Sequence, residues 1–370
     1  MRLGLVSLPM AGKSTILAAA SAWGRLATPR AGEVAAKAAH TAAPGPGAGV
    51  AVARIPDARV DWLAEQYHPK KVTHATTEWV ELPKLAPAGV PAIHKLDAVV
   101  FVVRAFDPGQ STVPHPEGRV DPAADFERLW QEWVLLDWTQ VQNRMDRLKS
   151  APSVPRAQRR DVERELDILE RCLKALEAGT ALRHAGLSDG DVASLRGYSL
   201  VTFRPALVAV SCDESQIGQA SFPGRETLER QTAGRAEAVV PVAARLELEL
   251  AELDDESRAA FIKELGITLP VGVERLGRAA YDACGFIAFL TAGEDEVRAW
   301  TITRGTVARD AAGKVHSDMA RGFIRAEVVA FEDLKRVGSL ARAREAGLLR
   351  LEGKDYVVQD GDVIEFRFNV

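Results

Sequence analysis

Residues 1–23 read MRLGLVSLPMAGKSTILAAASAW: a short apolar run, a turn ending in Gly-Lys-Ser-Thr, and an alanine-rich stretch. The first part predicts a buried strand and the last a helix. A glycine–lysine turn between strand and helix gathers backbone N–H groups, a helix N-terminus and a mobile ammonium at one point. Those are the parts of a phosphate-binding loop. The pattern G-x-x-x-x-G-K-[ST] asks for glycine at position 7, and Ser7 stands there; Gly12, Lys13, Ser14 and Thr15 are in place. A Cβ at position 7 matters if the backbone must take a positive φ there, a strain of roughly 1–3 kcal/mol.

The same α/β rhythm continues along the chain. Residues 50–67, VAVARIPDARVDWLAEQY, predict strand, turn and helix, and TTEWVEL predicts another strand. LDAVVFVVRAF, residues 96–106, is almost continuously apolar and β-branched, as in the middle of a parallel sheet. Residues 27–50, rich in Ala, Pro and Gly, predict a flexible loop. From Asp125 the period becomes helical. Val134, Trp138, Val141, Met145 and Leu148 are spaced 4-3-4-3, and so are Val162, Leu166, Leu169, Leu173 and Leu176. Pro152 and Pro155 break the run between them. Two such stripes predict an antiparallel helical hairpin. Its tip carries Arg144, Arg147, Lys149, Arg156, Arg159 and Arg160 beside one acid, Asp146. RPALVAVSCDE and AEAVVPVAARLELELAEL then resume the α/β pattern. From Cys284 the chain turns to short strands with turn glycines, such as VRAWTITRG, GFIRAEVVAF, LLRLEG and YVVQDGDVIEFRF, which predict a small mixed-β terminal domain.

Bulk properties narrow the function classes. A chain of 370 residues exceeds one ordinary core, so two or three domains are expected. A net charge of −4 gives no chain-wide field toward nucleic acid or membrane. Cys172, Cys212 and Cys284 are far apart with no C-x-x-C pair, which argues against disulfides and a cysteine zinc site and suits a reducing cytoplasm. Seven scattered histidines without paired-ligand spacing argue against a metal site built from protein ligands alone. The N-terminus lacks a signal-peptide layout, and no apolar run reaches the ~18 residues of a membrane span.

Several stretches together resemble one family. AGEDEVRAWTITRGTVARDAAGKVHSDMARGFIRAEVVAFEDL and LRLEGKDYVVQDGDVIEFRFNV are similar to the TGS domain of the YchF-like P-loop NTPases, a branch of the Obg-related GTPases. IPDARVDWLAEQYHPKKV, LDAVVFVVRAF, GRVDPAADFERL and ELAELDDE resemble the same family's G domain and the start of its helical insertion. The resemblance implies an α/β P-loop G domain over 1–124 and 197–283, an antiparallel helical hairpin inserted over 125–196, and a C-terminal β-grasp, ubiquitin-like TGS domain over 284–370. It also implies ATP more often than GTP, slow hydrolysis, Mg²⁺ and ribosome association, in a cytoplasmic, monomeric protein.

The resemblance fails where the chemistry should sit. The family's D-x-x-G aligns with Glu81-Leu82-Pro83-Lys84, and the glycine-rich segment after it is largely missing. Its base-reading N-x-x-E aligns with Ser211-Cys212-Asp213-Glu214. The expected nucleotide contacts are therefore Pro9, Met10, Ala11, Gly12, Lys13, Ser14, Thr15, Ser211, Asp213 and Glu214, with Ser14 and Glu81 toward Mg²⁺. No catalytic residue is assigned. His94 is expected to be structural, and His316-Ser317-Asp318 is not expected to form a triad, because adjacent residues point apart. The hairpin cations are candidates for ribosomal RNA and the TGS surface or its edge strands for a protein partner. Three functions stay open: a weak nucleotide binder with little or no hydrolysis acting as a ribosome-associated regulator or adaptor, a slow active ATPase or GTPase, and an adaptor that binds no nucleotide.

Overall fold

The computed structural model describes residues 1–26, 49–82, 85, 89–106, 119–150, 159–218, 221–267 and 271–369. Most of the loop expected over 27–50, together with Pro83, Lys84 and Arg156, lies outside the described residues. The chain divides into two compact units. One holds Met1–Trp23 and Glu78–Ala280; the other holds Ala53–Thr77 and the chain from Tyr281 onward.

The strands of the first sheet are β1 (Arg2–Ser7), β2 (Val50–Arg54), β4 (Thr76–Glu81), β5 (Ala98–Arg104), β6 (Ala206–Ser211) and β7 (Ala238–Val242), in the order β2-β4-β1-β5-β6-β7. All seven residues of β5 are buried. It lies between β1, in register from Leu3↔Ala98 to Ser7↔Val102, and β6, from Val99↔Ala206 to Arg104↔Ser211, both parallel. A strand covered on both faces has no polar side to show, which explains its unbroken apolar sequence.

The first hairpin helix, Pro122–Lys149, starts where Asp121 accepts from the Ala124 N–H at 3.0 Å and Pro122 fills the first turn. Its early turns lie on β5: Phe126, Trp130 and Trp133 surround Phe101 with ring centroids 5.8–6.1 Å apart, each edge-on. Its later turns pack against the second helix, Arg159–Glu177, which buries Ile168, Leu169, Cys172 and Leu176. The stripe read from sequence had the right helix, but Leu166 and Leu173 are only half-buried, while Ile168 and Cys172 turn inward. A 3.6-residue period drifts off a strict heptad over five turns.

The second unit carries the sheet β11-β10-β12-β8-β9-β3, made from β3 (Lys71–Thr73), β8 (Phe286–Ala292), β9 (Glu296–Thr303), β10 (Phe323–Ala330), β11 (Arg350–Glu352) and β12 (Asp362–Phe368). The sequence boundary assigned all of 1–124 to the first domain, whereas residues 53–77 pack with the C-terminal unit. β3 runs parallel to β9, and Arg59, on the helix Ala58–Tyr67, bridges Asp57 at 2.8 Å and Asp360 at 2.9 Å. Burial alone would lower the Arg59 pKa, but the two carboxylates outweigh it and raise it.

Candidate functional site

The loop leaves the carboxyl end of β1, where open parallel sheets present ligand sites. Ser7 is still a strand residue, in register with Val102, so its Cβ meets none of the backbone strain expected there. That strain falls three residues later: Met10 sits at φ 62 and is half exposed. Gly12 follows at φ 91, and a Cβ on it would lie 2.6 Å from Ser211 Oγ. Glycine is thus required at position 12 both for its backbone angle and for the close approach of β6. The helix Lys13–Leu26 begins at once, its first bond running from the Ile16 N–H to the Gly12 carbonyl at 3.0 Å. No acidic residue occupies its first turn, so the free N–H groups and positive helix end are available to an anion.

The end of β4 supplies the other wall. Lys13 Nζ donates to the Leu82 carbonyl at 2.6 Å and lies 3.4 Å from Glu81 Oε1. Ser14 Oγ donates to the same Glu81 oxygen at 3.1 Å. The three groups expected to face phosphate and Mg²⁺ therefore meet at one mouth, with Ser14 and Thr15 exposed. Among the described residues no cluster of three or more His, Cys, Asp and Glu is positioned to hold a metal. A hydroxyl and one carboxylate suit Mg²⁺, which keeps waters and takes phosphate oxygens instead of an all-protein cage. A cradle that a Cβ would fill, backed by a lysine and a hydroxyl–carboxylate pair, fits a nucleotide phosphate with its cation.

The base-reading segment is arranged differently from the expectation. Ser211 is buried against the loop, and its carbonyl accepts from the Ala105 and Phe106 N–H groups at 2.8 and 3.2 Å. Asp213 Oδ1 accepts from the Gln216 N–H at 3.0 Å and from Ser215 Oγ at 2.7 Å, while the Asp213 N–H donates to Gln216 Oε1 at 3.0 Å. Asp213 and Gln216 thus cap the short helix Glu214–Gly218 reciprocally. Glu214 is exposed on that helix. The D-x-x-Q spacing was a legible cap signal. Sequence reasoning also passed over Arg104, fully buried at the end of β5 with its guanidinium 4.1 Å above the Phe106 ring. A charged residue closing a wholly apolar strand was the available sign.

At the hairpin tip the second helix brings acids that a linear count misses. Arg144 Nε donates to Glu165 at 2.7 Å and to the Tyr198 hydroxyl at 3.2 Å, and Lys149 lies 3.7 Å from Glu170. Burial alone would raise the Glu165 carboxyl, but the bonds from Arg144 and Tyr198 hold it below its ordinary value. Arg147, Arg159 and Arg160 are exposed. In the second unit His316 Nδ1 accepts from the Asp318 N–H at 3.2 Å, an ordinary cap of the helix Ser317–Arg321. Its edge strands β3 and β11 have three residues each. No described helix is long and apolar enough to cross a membrane.

A parallel sheet whose first strand enters a helix through a glycine–lysine turn, with an inserted helical hairpin and a separate mixed-sheet unit, defines a P-loop NTPase of the G-domain type. The YchF-GTPase_C model, described as "Protein of unknown function (DUF933)", matches residues 286–369. "Ribosome-binding ATPase YchF" of Bacillus subtilis is 36% identical, covering 99% of both chains, as is the protein of that name from Escherichia coli O157:H7. "Obg-like ATPase 1" of Oryza sativa is 34% identical over 85% of this chain and 82% of its own. The solved Schizosaccharomyces pombe YchF GTPase superposes with a TM-score of 0.86 at 26% identity, covering 99% of this chain and 97% of the other. The chain belongs to the YchF family.

Proposed function

We propose that this protein binds ATP, or less readily GTP, with Mg²⁺ at the 9–15 loop, turns it over slowly or not at all, and associates with the ribosome. The observation that carries the nucleotide reading is the meeting of Lys13, Ser14 and Glu81, with Ser14 Oγ and Lys13 Nζ at 3.1 and 3.4 Å from one carboxylate oxygen. In this reading the loop amides and Lys13 hold the phosphates, and Ser14 and Glu81 face Mg²⁺. The cation neutralises charge on the phosphates when bound. Adenine is favoured by the names of the relatives, which are ATPases. Ribosome association rests on the printed name "Ribosome-binding ATPase YchF" and on the exposed tip cations Arg147, Arg159 and Arg160. Slow turnover rests on sequence: Lys84 stands where the switch glycine would donate its N–H to a terminal phosphate.

A slow but active ATPase is the second reading, favoured by the retained hydroxyl–carboxylate pair of Ser14 and Glu81. Multiple-turnover phosphate release with ATP and Mg²⁺, measured beside ribosome co-sedimentation, separates the two. Co-sedimentation with negligible release supports the proposal. Release abolished by Lys13→Ala supports the second reading, and failure to sediment with ribosomes removes the ribosomal half of both.

A further inference from the structure

We infer that His94 is a positioning residue that joins the phosphate loop to the base of the helical hairpin, so that the state of Lys13 is felt at Asp137. The proposal rests on the nucleotide reading for its purpose and on the following contacts for its substance. Lys13 is held by the Leu82 carbonyl. Leu82 and Leu96 both rest on the bare backbone of Gly4 in β1, where a Cβ would overlap the Cδ1 atoms of both. A shift of Leu82 is therefore passed to Leu96 by direct packing. The Leu96 N–H is bonded to the Ile93 carbonyl at 3.0 Å, which ties it to the one-turn helix Val90–Ile93 and to His94 at that helix's end.

His94 is clamped from two sides. Its Nε2 meets the Ser199 carbonyl at 2.7 Å, and because a carbonyl only accepts, Nε2 carries the proton. Its own carbonyl accepts from Arg204 Nη2 at 3.1 Å. Ser199 holds a left-handed φ of 57, a conformation that a non-glycine residue keeps only when its surroundings impose it. Two residues on, the Val201 and Thr202 N–H groups each donate to the buried Asp137 carboxylate at 2.8 Å, and Thr202 Oγ1 donates to it at 2.6 Å. Asp137 lies midway along Pro122–Lys149. Losing the Lys13 bond to a phosphate thus reaches the hairpin through two leucines, one imidazole and one carboxylate.

The test uses the nucleotide-free full-length chain and reads hydrogen exchange at the Val201 and Thr202 amides, which report directly on the Asp137 clamp. Lys13→Ala removes the donor to Leu82. It is expected to speed these amides by about threefold or more, the size of change that packed networks transmit. The increment disappears in Lys13→Ala/His94→Ala and persists in Lys13→Ala/His94→Gln, because a glutamine amide still donates to Ser199. An equal increment in the His94→Ala background, or none in Lys13→Ala itself, overturns the joint. Calorimetric titration of the unmutated protein with ATP and Mg²⁺ decides the nucleotide reading separately, since the exchange result stands whether or not ATP binds.

Discussion

Replacing Gly12 by alanine separates two costs that the loop imposes together. At φ 91 an L-residue is strained, and its Cβ would stand 2.6 Å from Ser211 Oγ and 3.4 Å from Ser211 Cβ. The left-handed backbone costs ~1–2 kcal/mol, and overpacking a buried contact costs ~1–3 kcal/mol. Gly12→Ala should therefore destabilise the protein by about 2–4 kcal/mol. Removing the hydroxyl in Gly12→Ala/Ser211→Ala leaves an ordinary contact and returns the steric part, so the double variant keeps only about 1–2 kcal/mol of the loss, corrected for Ser211→Ala alone. Urea unfolding followed by tryptophan emission at constant slope measures each corner of the cycle. Additive effects of the two substitutions, with no recovery in the double variant, would refute the claim that β6 presses on the loop at Gly12.

Met10→Asn, which suits a left-handed φ better, should raise the urea midpoint by roughly 0.5–1 kcal/mol equivalent, and a lowered midpoint contradicts the strain placed at φ 62. Burial, opposed by the Val273 and Gly272 N–H groups, lifts the Glu247 carboxyl from 4.5 to about 7. The folded chain then binds that proton more tightly between those values, so unfolding free energy falls by up to ~3 kcal/mol as pH rises through them. Glu247→Gln should flatten that decline relative to the unmutated protein, and parallel pH profiles would count against it. Charge reversal at Arg147 and Arg160 should weaken ribosome co-sedimentation most at low salt and reduce its salt dependence, whereas a salt-independent association would exclude phosphate contacts at the tip.

Much of the fold was open to reading because it is written in local pattern. β5 declared itself by seven consecutive residues without a solvent face, and the loop by a strand running into Gly-Lys-Ser. What stayed hidden depends on distant chain meeting. β3 pairs with β9 between Lys71 and Glu296, a three-residue contact with no periodic signal. The tip looked like bare cations until Glu165 and Glu170 arrived from the second helix. At the site, residue types were readable but backbone angles were not: the substitution at Ser7 falls within a strand, and Met10, an unremarked residue, bears the left-handed turn. Asp213 shows the opposite error, a local cap read as a ligand contact because it stood in the right place in the chain.

The central claim is that Lys13, Ser14 and Glu81 form one phosphate and Mg²⁺ cradle. Its most direct measurement is the equilibrium Kd for ATP with Mg²⁺, taken calorimetrically on the unmutated chain and on Lys13→Ala. Loss of a charged hydrogen bond to phosphate of ~1.5–3 kcal/mol predicts binding weakened about 10- to 100-fold. An unchanged Kd in Lys13→Ala would place the nucleotide elsewhere and contradict the account.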